Sequence, residues 1–198
     1  MAIIIQDAFT DTNGTGLASH TISPTNTVGA AWTVPSGTVD IQSNRARATT
    51  VAGYGWGILD SSHADGTISV VVRREDTDEL YLVFRYTDTS NWWGLAWNSA
   101  DSTVRLYKVV GGSASEPFGS TTKTFTINTD YTMQVVLSGN SISATIDGGS
   151  TLGGSDSFNA SATRHGFIAG VTTNAGLFDD WTMDVAAAGN PWYYFANQ

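Results

Sequence analysis

Residues 80–97 read LYLVFRYTDTSNWWGLAW, and three of the chain's seven tryptophans fall in the last seven of these residues. Two runs rich in aromatic and branched side chains flank Thr87-Asp88-Thr89-Ser90, a cluster of turn formers. That is the pattern of a β-hairpin. Side chains alternate across a strand, so Trp93, Leu95 and Trp97 share one face, and Trp92, Gly94 and Ala96 share the other. In the preceding strand Leu80, Leu82, Phe84 and Tyr86 form one set, and Tyr81, Val83 and Arg85 the other. Trp93, Leu95 and Trp97 with Leu82 and Phe84 read as a core layer. Tyr81, Arg85 and Trp92 around Gly94 mix aromatic and charged groups, as a solvated face does. Periodicity alone also admits the reverse assignment, with Trp93 and Trp97 displayed, and a third in which all three tryptophans are at least half buried.

The same two-residue alternation recurs along the chain, broken by Gly, Asn and Asp. It predicts strands at Ala2–Ile5, Ala31–Val34, Val39–Gln42, Arg45–Thr49, Gly55–Leu59, Thr67–Arg73, Val104–Val110, Thr121–Phe125, Thr132–Leu137, Ser141–Ile146, Gly166–Val171 and Phe178–Val185, besides the hairpin. Asp65-Gly66, Gly139-Asn140 and Asp147-Gly148 supply turn residues that accept positive φ. Many short strands without helical periodicity imply an all-β fold, two packed antiparallel sheets in a β-sandwich. The expected organisation is one domain over residues 1–185. A C-terminal aromatic tail, residues 186–198, follows a break of small residues.

Apolar residues make up 41% of the 198 and charged residues only 14%, well below the usual charged share of roughly 25%. The formal net charge is −9. Nucleic acid and anionic membrane are therefore excluded as partners, because phosphate binding needs clustered cations. There is no cysteine, so disulfides, thiol nucleophiles and thiolate metal sites are excluded. The start, MAIIIQDAF, lacks the basic segment of a secretory signal, and no stretch is long and apolar enough to span a bilayer.

Asp7-Ala8-Phe9-Thr10-Asp11 leads to Asn13-Gly14-Thr15, His20, Trp32 and Ile41–Ala48. Val83–Asp88, Asn91–Trp97, Tyr131–Gly148 and Gly176–Met183 follow. In this order the stretches resemble the concanavalin A-like lectin/glucanase superfamily, in its laminin-G-like branch, over roughly residues 7–185. The resemblance implies a jelly-roll of two curved sheets. Short cysteine-free versions that begin this way also resemble bacteriophage virion proteins, in the tail or on the capsid surface.

Glucanases of this superfamily carry Glu-x-Asp-x-Glu, whose two glutamates flank a glycosidic bond. The nearest match is Glu75-Asp76-Thr77-Asp78-Glu79, with Thr at the central position. The only other glutamate is Glu116. The charge run reads as a solvated loop, so a catalytic role is not expected. His20, His63 and His165 are scattered without metal-ligand spacing, and a lone histidine at a strand end is ordinarily a surface residue.

The resemblance implies calcium as the candidate cofactor, with Asp7 near the first strand and Asp179 and Asp180 near the last. Calcium takes several hard oxygen ligands. In the alternative reading, Asp7 pairs with Arg45 or Arg47. For glycan binding the candidates are Tyr81, Arg85, Trp92 and Trp56. Aromatic rings stack on the apolar face of a sugar while polar groups bond its hydroxyls. Trp192, Tyr193, Tyr194 and Phe195 form an aromatic end suited either to folding back or to an assembly contact.

The leading expectation is thus a non-catalytic virion module released outside the cell. Its partners would be other virion proteins or copies of itself as a homo-oligomer, with glycan as a further ligand. A soluble carbohydrate-binding lectin module is the alternative, and a polysaccharide hydrolase or lyase a third.

Overall fold

The computed structural model describes residues 2–49, 53–75, 79–98, 102–171 and 176–186. Sixteen strands lie among them: β1 Ala2–Asp7, β2 Pro24–Asn26, β3 Val39–Ile41, β4 Ala46–Ala48, β5 Gly53–Asp60, β6 Gly66–Arg74, β7 Leu80–Asp88, β8 Asn91–Asn98, β9 Thr103–Val110, β10 Ser113–Ser115, β11 Ser120–Thr122, β12 Asp130–Ser138, β13 Ser141–Ile146, β14 Leu152–Ser155, β15 Arg164–Val171 and β16 Gly176–Val185. One 3₁₀ turn, Leu17–Ser19, accompanies them.

The strands form two antiparallel sheets. The first runs β14-β13-β12-β6-β16-β1-β2, with β4 also on β16 and β3 on β4. The second runs β10-β9-β8-β7-β15-β5, with β11 sharing the edge of β9. This is the two-sheet sandwich that alternation predicts and the jelly-roll that the resemblance implies. First and last strands are neighbours, Asp7 standing opposite Trp181.

The core lies between the sheets and follows the period-two pattern. Ile68, Val70 and Val72 of β6 and Met133, Val135 and Leu137 of β12 are buried on the inner face of the first sheet. They meet Leu80, Leu82 and Phe84 of β7 and Trp93, Leu95 and Trp97 of β8. Across the hairpin Phe84 pairs with Trp93, Leu82 with Leu95 and Leu80 with Trp97. Each large side chain fully buried here contributes about 1.5–3 kcal/mol of transfer free energy. This hairpin therefore anchors the second sheet.

Two strand expectations change. Ala31–Val34 forms no strand, only an isolated bridge between Thr33 and Ile58. Pro35, which follows, has no N–H to continue a ladder, and the Trp32 indole is drawn inward to Asp7. The strand expected at Thr121–Phe125 is shorter, Ser120–Thr122. Three short strands, β2, β10 and β14, were not predicted. The residues of the C-terminal aromatic end, Trp192–Phe195, lie outside the described residues.

Candidate functional site

The outer face of the second sheet carries an aromatic layer. Trp56 from β5, Tyr81 from β7 and Trp92 from β8 project from it, as alternation requires once Trp93 and Trp97 face inward. They cover Ile58, Val83, Ala96 and Ile168, all buried although on the outer face. Trp92 and Tyr81 are 9% and 6% exposed, so Trp92 is not freely displayed but packed edgewise. Its ring stands at 89° to that of Trp56, centroids 5.4 Å apart, and at 85° to that of Tyr81, 5.9 Å apart.

Gly94 makes this possible. A Cβ there would lie 2.7 Å from the Trp92 ring and 3.4 Å from Tyr81, so only a bare Cα lets the indole lie over the strand. The Trp92 indole N–H donates to the Thr89 carbonyl in the hairpin turn, at 3.1 Å. Two further bonds join that turn to the next. The Gly112 N–H donates to the Ser90 carbonyl (2.8 Å) and the Gly111 N–H to Asn91 Oδ1 (3.0 Å). The β7–β8 and β9–β10 turns thus form one rim.

Between rim and sheet lies a cavity of about 370 Å³, lined by Tyr54, Trp56, Tyr81, Trp92 and Tyr107 together with small and aliphatic residues. This is within the roughly 300–1,000 Å³ of small-ligand pockets. Tyr54, 47% exposed, is the most accessible ring. The Tyr81 hydroxyl donates to the Glu79 carboxylate, and burial together with that bond pushes the phenol pKa up. Sequence reading missed Tyr54 and Tyr107 here. Tyr54 is two residues before Trp56, and Tyr107 stands opposite Gly94, so strand phase was the signal.

Arg85 is not in this site. The ladder of β7 slips between Phe84 and Asp88, and Arg85 has φ +50°. This β-bulge reverses the phase: Tyr86 joins the aromatic layer and the Arg85 side chain turns inward, with no exposed surface. Its Nη2 donates to the Gly139 carbonyl and lies 3.7 Å from Asp65. Among the described residues its Nε and Nη1 have no hydrogen-bond partner. Burial pushes the guanidinium pKa down.

The three aspartates proposed for calcium do not converge. Asp7 is fully buried and its carboxylate accepts the Trp32 indole N–H (2.6 Å), the Phe9 backbone N–H (3.0 Å) and a bond to His20 Nε2 (2.9 Å). Nor does it pair with an arginine. Arg45 reaches Asp130 at 3.0 Å and Asp179 at 3.5 Å, and Arg47 reaches Asp40 at 3.4 Å. Asp179 thus faces Arg45, and burial raises its pKa. Asp180 is exposed at a bulge, with φ +45°. Among the described residues no group of three or more acidic or imidazole side chains could hold a metal. The calcium that the fold implies does not fit these residues.

Two of the three histidines are buried, against expectation. His20 bridges Asp7 and, through Nδ1, Asp11 at 3.0 Å. His165 accepts the Arg85 backbone N–H on Nδ1 (3.2 Å), so its Nε2–H donates to the His63 carbonyl (2.9 Å). Of the glutamates, Glu75 is exposed at the end of β6, Glu79 is bonded by Tyr81 and Glu116 lies 3.3 Å from Arg105.

No family model and no curated protein matches the sequence. Solved structures do match the fold. The carbohydrate-binding module CBM66 from Bacillus subtilis aligns with a TM-score of 0.62 at 19% identity, over 77% of this chain and 95% of that one. A protein of unknown function with a galectin-like fold, also from Bacillus subtilis, aligns at 0.60 and 13%, over 92% and 96%. The exoplasmic/lumenal domain of VIP36, in a form bound to Ca2+ and Man3GlcNAc, aligns at 0.52 and 10%, over 83% and 87%. The chain therefore has the concanavalin A-like lectin fold. Among the described residues no helix is long and apolar enough to cross a membrane.

Proposed function

We propose that the protein is a non-catalytic carbohydrate-binding module, with the aromatic cavity on the second sheet as its saccharide site. The observation that carries this is the convergence of Tyr54, Trp56, Tyr81 and Trp92 on one cavity of about 370 Å³ under a hydrogen-bonded rim. Ring faces take up the apolar parts of a saccharide ligand, and the walls desolvate them. The lectin-type fold supports the reading without assigning the site, because function resides in the site and not in the fold. Glu79 bonded by Tyr81 and Glu116 beside Arg105 support a binding role over hydrolysis. The virion reading draws no support from the three structures named above.

The test is a glycan and bacterial-polysaccharide array probed with the protein, followed by titration of any hit against Tyr54→Ala. Half-exposed Tyr54 can be removed without opening the core, so the variant should fold and bind at least about 3-fold more weakly, in line with the loss of one stacking ring. A blank array, or a hit that Tyr54→Ala binds unchanged, overturns the assignment.

A further inference from the structure

The aromatic rings turn around the cavity instead of lying in a plane. Trp56 and Trp92 meet at 89°, Trp92 and Tyr81 at 85°, and Tyr54 and Tyr81 at 78° with centroids 6.3 Å apart. A flat shelf for a sugar ring needs roughly coplanar faces. Adjacent rings that meet near a right angle present π-faces from several directions, as a cage does, and Tyr107, tilted 39° to Tyr81 with centroids 6.1 Å apart, adds a further face. Among the described residues no Lys, Arg or His side chain lines the cavity, and neither does any carboxylate or amide. The indole N–H of Trp92 and the hydroxyl of Tyr81 are already spent on Thr89 and Glu79. Neither of these two tips is therefore open to a sugar hydroxyl.

Charge completes the picture. Glu79 places a carboxylate beside the cage through Tyr81, and the chain carries a net −9. The layer already draws one cation on its flank, the Arg164 guanidinium 4.8 Å from the centroid of the Tyr86 ring. A π-face attracts a cation that needs no hydrogen bonds, and quaternary ammonium groups are of that kind.

We infer that the cavity captures an N-alkylated ammonium group, choline-like in chemistry, carried as a substituent on the saccharide. The inference rests on the proposed glycan-binding role and specifies which part of the ligand enters the cage. The sugar itself then lies at the rim, beside Thr89 and Gly112.

The test uses the whole protein and three probes. Tryptophan fluorescence and calorimetry follow titration with choline, tetramethylammonium and 3,3-dimethyl-1-butanol, the neutral isostere of choline. Choline is then used to compete with any glycan found on the array. The expected result is saturable binding of both cations and at least about 3-fold weaker binding of the neutral isostere. Tyr54→Ala, with an unchanged circular dichroism spectrum, should lose most of the cation signal. Equal binding of choline and its isostere overturns the inference, because the cavity is then merely apolar. A glycan without a cationic group that binds and is not displaced by choline also overturns it, leaving the glycan role intact. A blank array with no cation binding removes both. Cation binding with a blank array keeps the cage and removes the glycan role.

Discussion

The indole of Trp92 lies across Gly94, two residues along its own strand, so closely that a methyl group on Gly94 would stand 2.7 Å from the ring. The floor of the cavity is thereby set by an absent side chain. Gly94→Ala must push the ring toward Trp56 and Tyr81, which already touch it. Overpacking of this kind costs about 1–3 kcal/mol. The expected outcome is a folded protein with a lowered Tm and loss of ligand binding. Retained binding with an unchanged Tm would show that the indole has another position open to it.

Arg85 gives the opposite expectation. Its charge is buried with two nitrogens unpaired among the described residues, and Asp65, which it approaches at 3.7 Å, is 53% exposed at the side chain. Replacing a poorly compensated buried ion by an apolar side chain of similar length is often neutral or stabilising. Arg85→Met should melt no lower than the wild type and should bind ligand unchanged, since the side chain points away from the cavity. Thermal melts and the same titration check both. A loss of binding with the fold intact would place Arg85 back in the site.

The contrast between these two residues shows what the sequence could and could not convey. Strand β8 has no bulge, so alternation grouped Trp93, Leu95 and Trp97 on one face and Trp92 on the other, and of the two assignments it admitted the structure has the first set in the core. In β7 the same rule holds from Leu80 to Phe84 and then fails, because Arg85 adopts φ +50°. Nothing in Phe-Arg-Tyr announces a left-handed arginine, as a glycine would have done. Strands β2, β10 and β14 were missed because they are three or four residues long, polar and at sheet edges. They have too few side chains to show a period. The partners of Asp7 were illegible for another reason. His20 and Trp32 are 13 and 25 residues away, and only the packed sandwich brings them to one carboxylate.

Calcium should leave the protein's stability unchanged. A cation that binds the folded state stabilises it in proportion to the logarithm of its concentration over Kd. With Asp7 occupied by an indole, an amide and an imidazole, and Asp179 facing Arg45, no carboxylate pair remains poised across β1 and β16. Differential scanning calorimetry in millimolar calcium and in chelator should give the same Tm. A rise with calcium would reveal a site elsewhere in the chain.

The two buried histidines should tilt stability in opposite directions on either side of pH 6.5. His20 is penalised by burial, but hydrogen bonds and charge from Asp7 and Asp11 outweigh this and raise its pKa above 6.5. Both ring nitrogens face carboxylates, so the doubly protonated ring satisfies both. The folded state then holds the proton more tightly than the unfolded one. That contribution is complete below pH 6.5 and is lost as pH rises through the folded value. For His165 burial dominates and its pKa falls to about 4. A proton on Nδ1 would confront the Arg85 amide N–H that this nitrogen now accepts. Its contribution is complete above pH 6.5 and is lost as pH falls toward 4. The interval corresponds to about 3 kcal/mol. Urea melts of the wild type should therefore show highest stability near pH 6.5 within the range 4–9. His165→Gln should flatten the acid limb between pH 6.5 and about 5, above the range in which ordinary carboxylates titrate. His20→Gln should flatten the alkaline limb. The reading is in the shape of each profile, so it survives a uniform loss of stability in either variant. An acid limb that persists in His165→Gln would show that the buried imidazole is not its source.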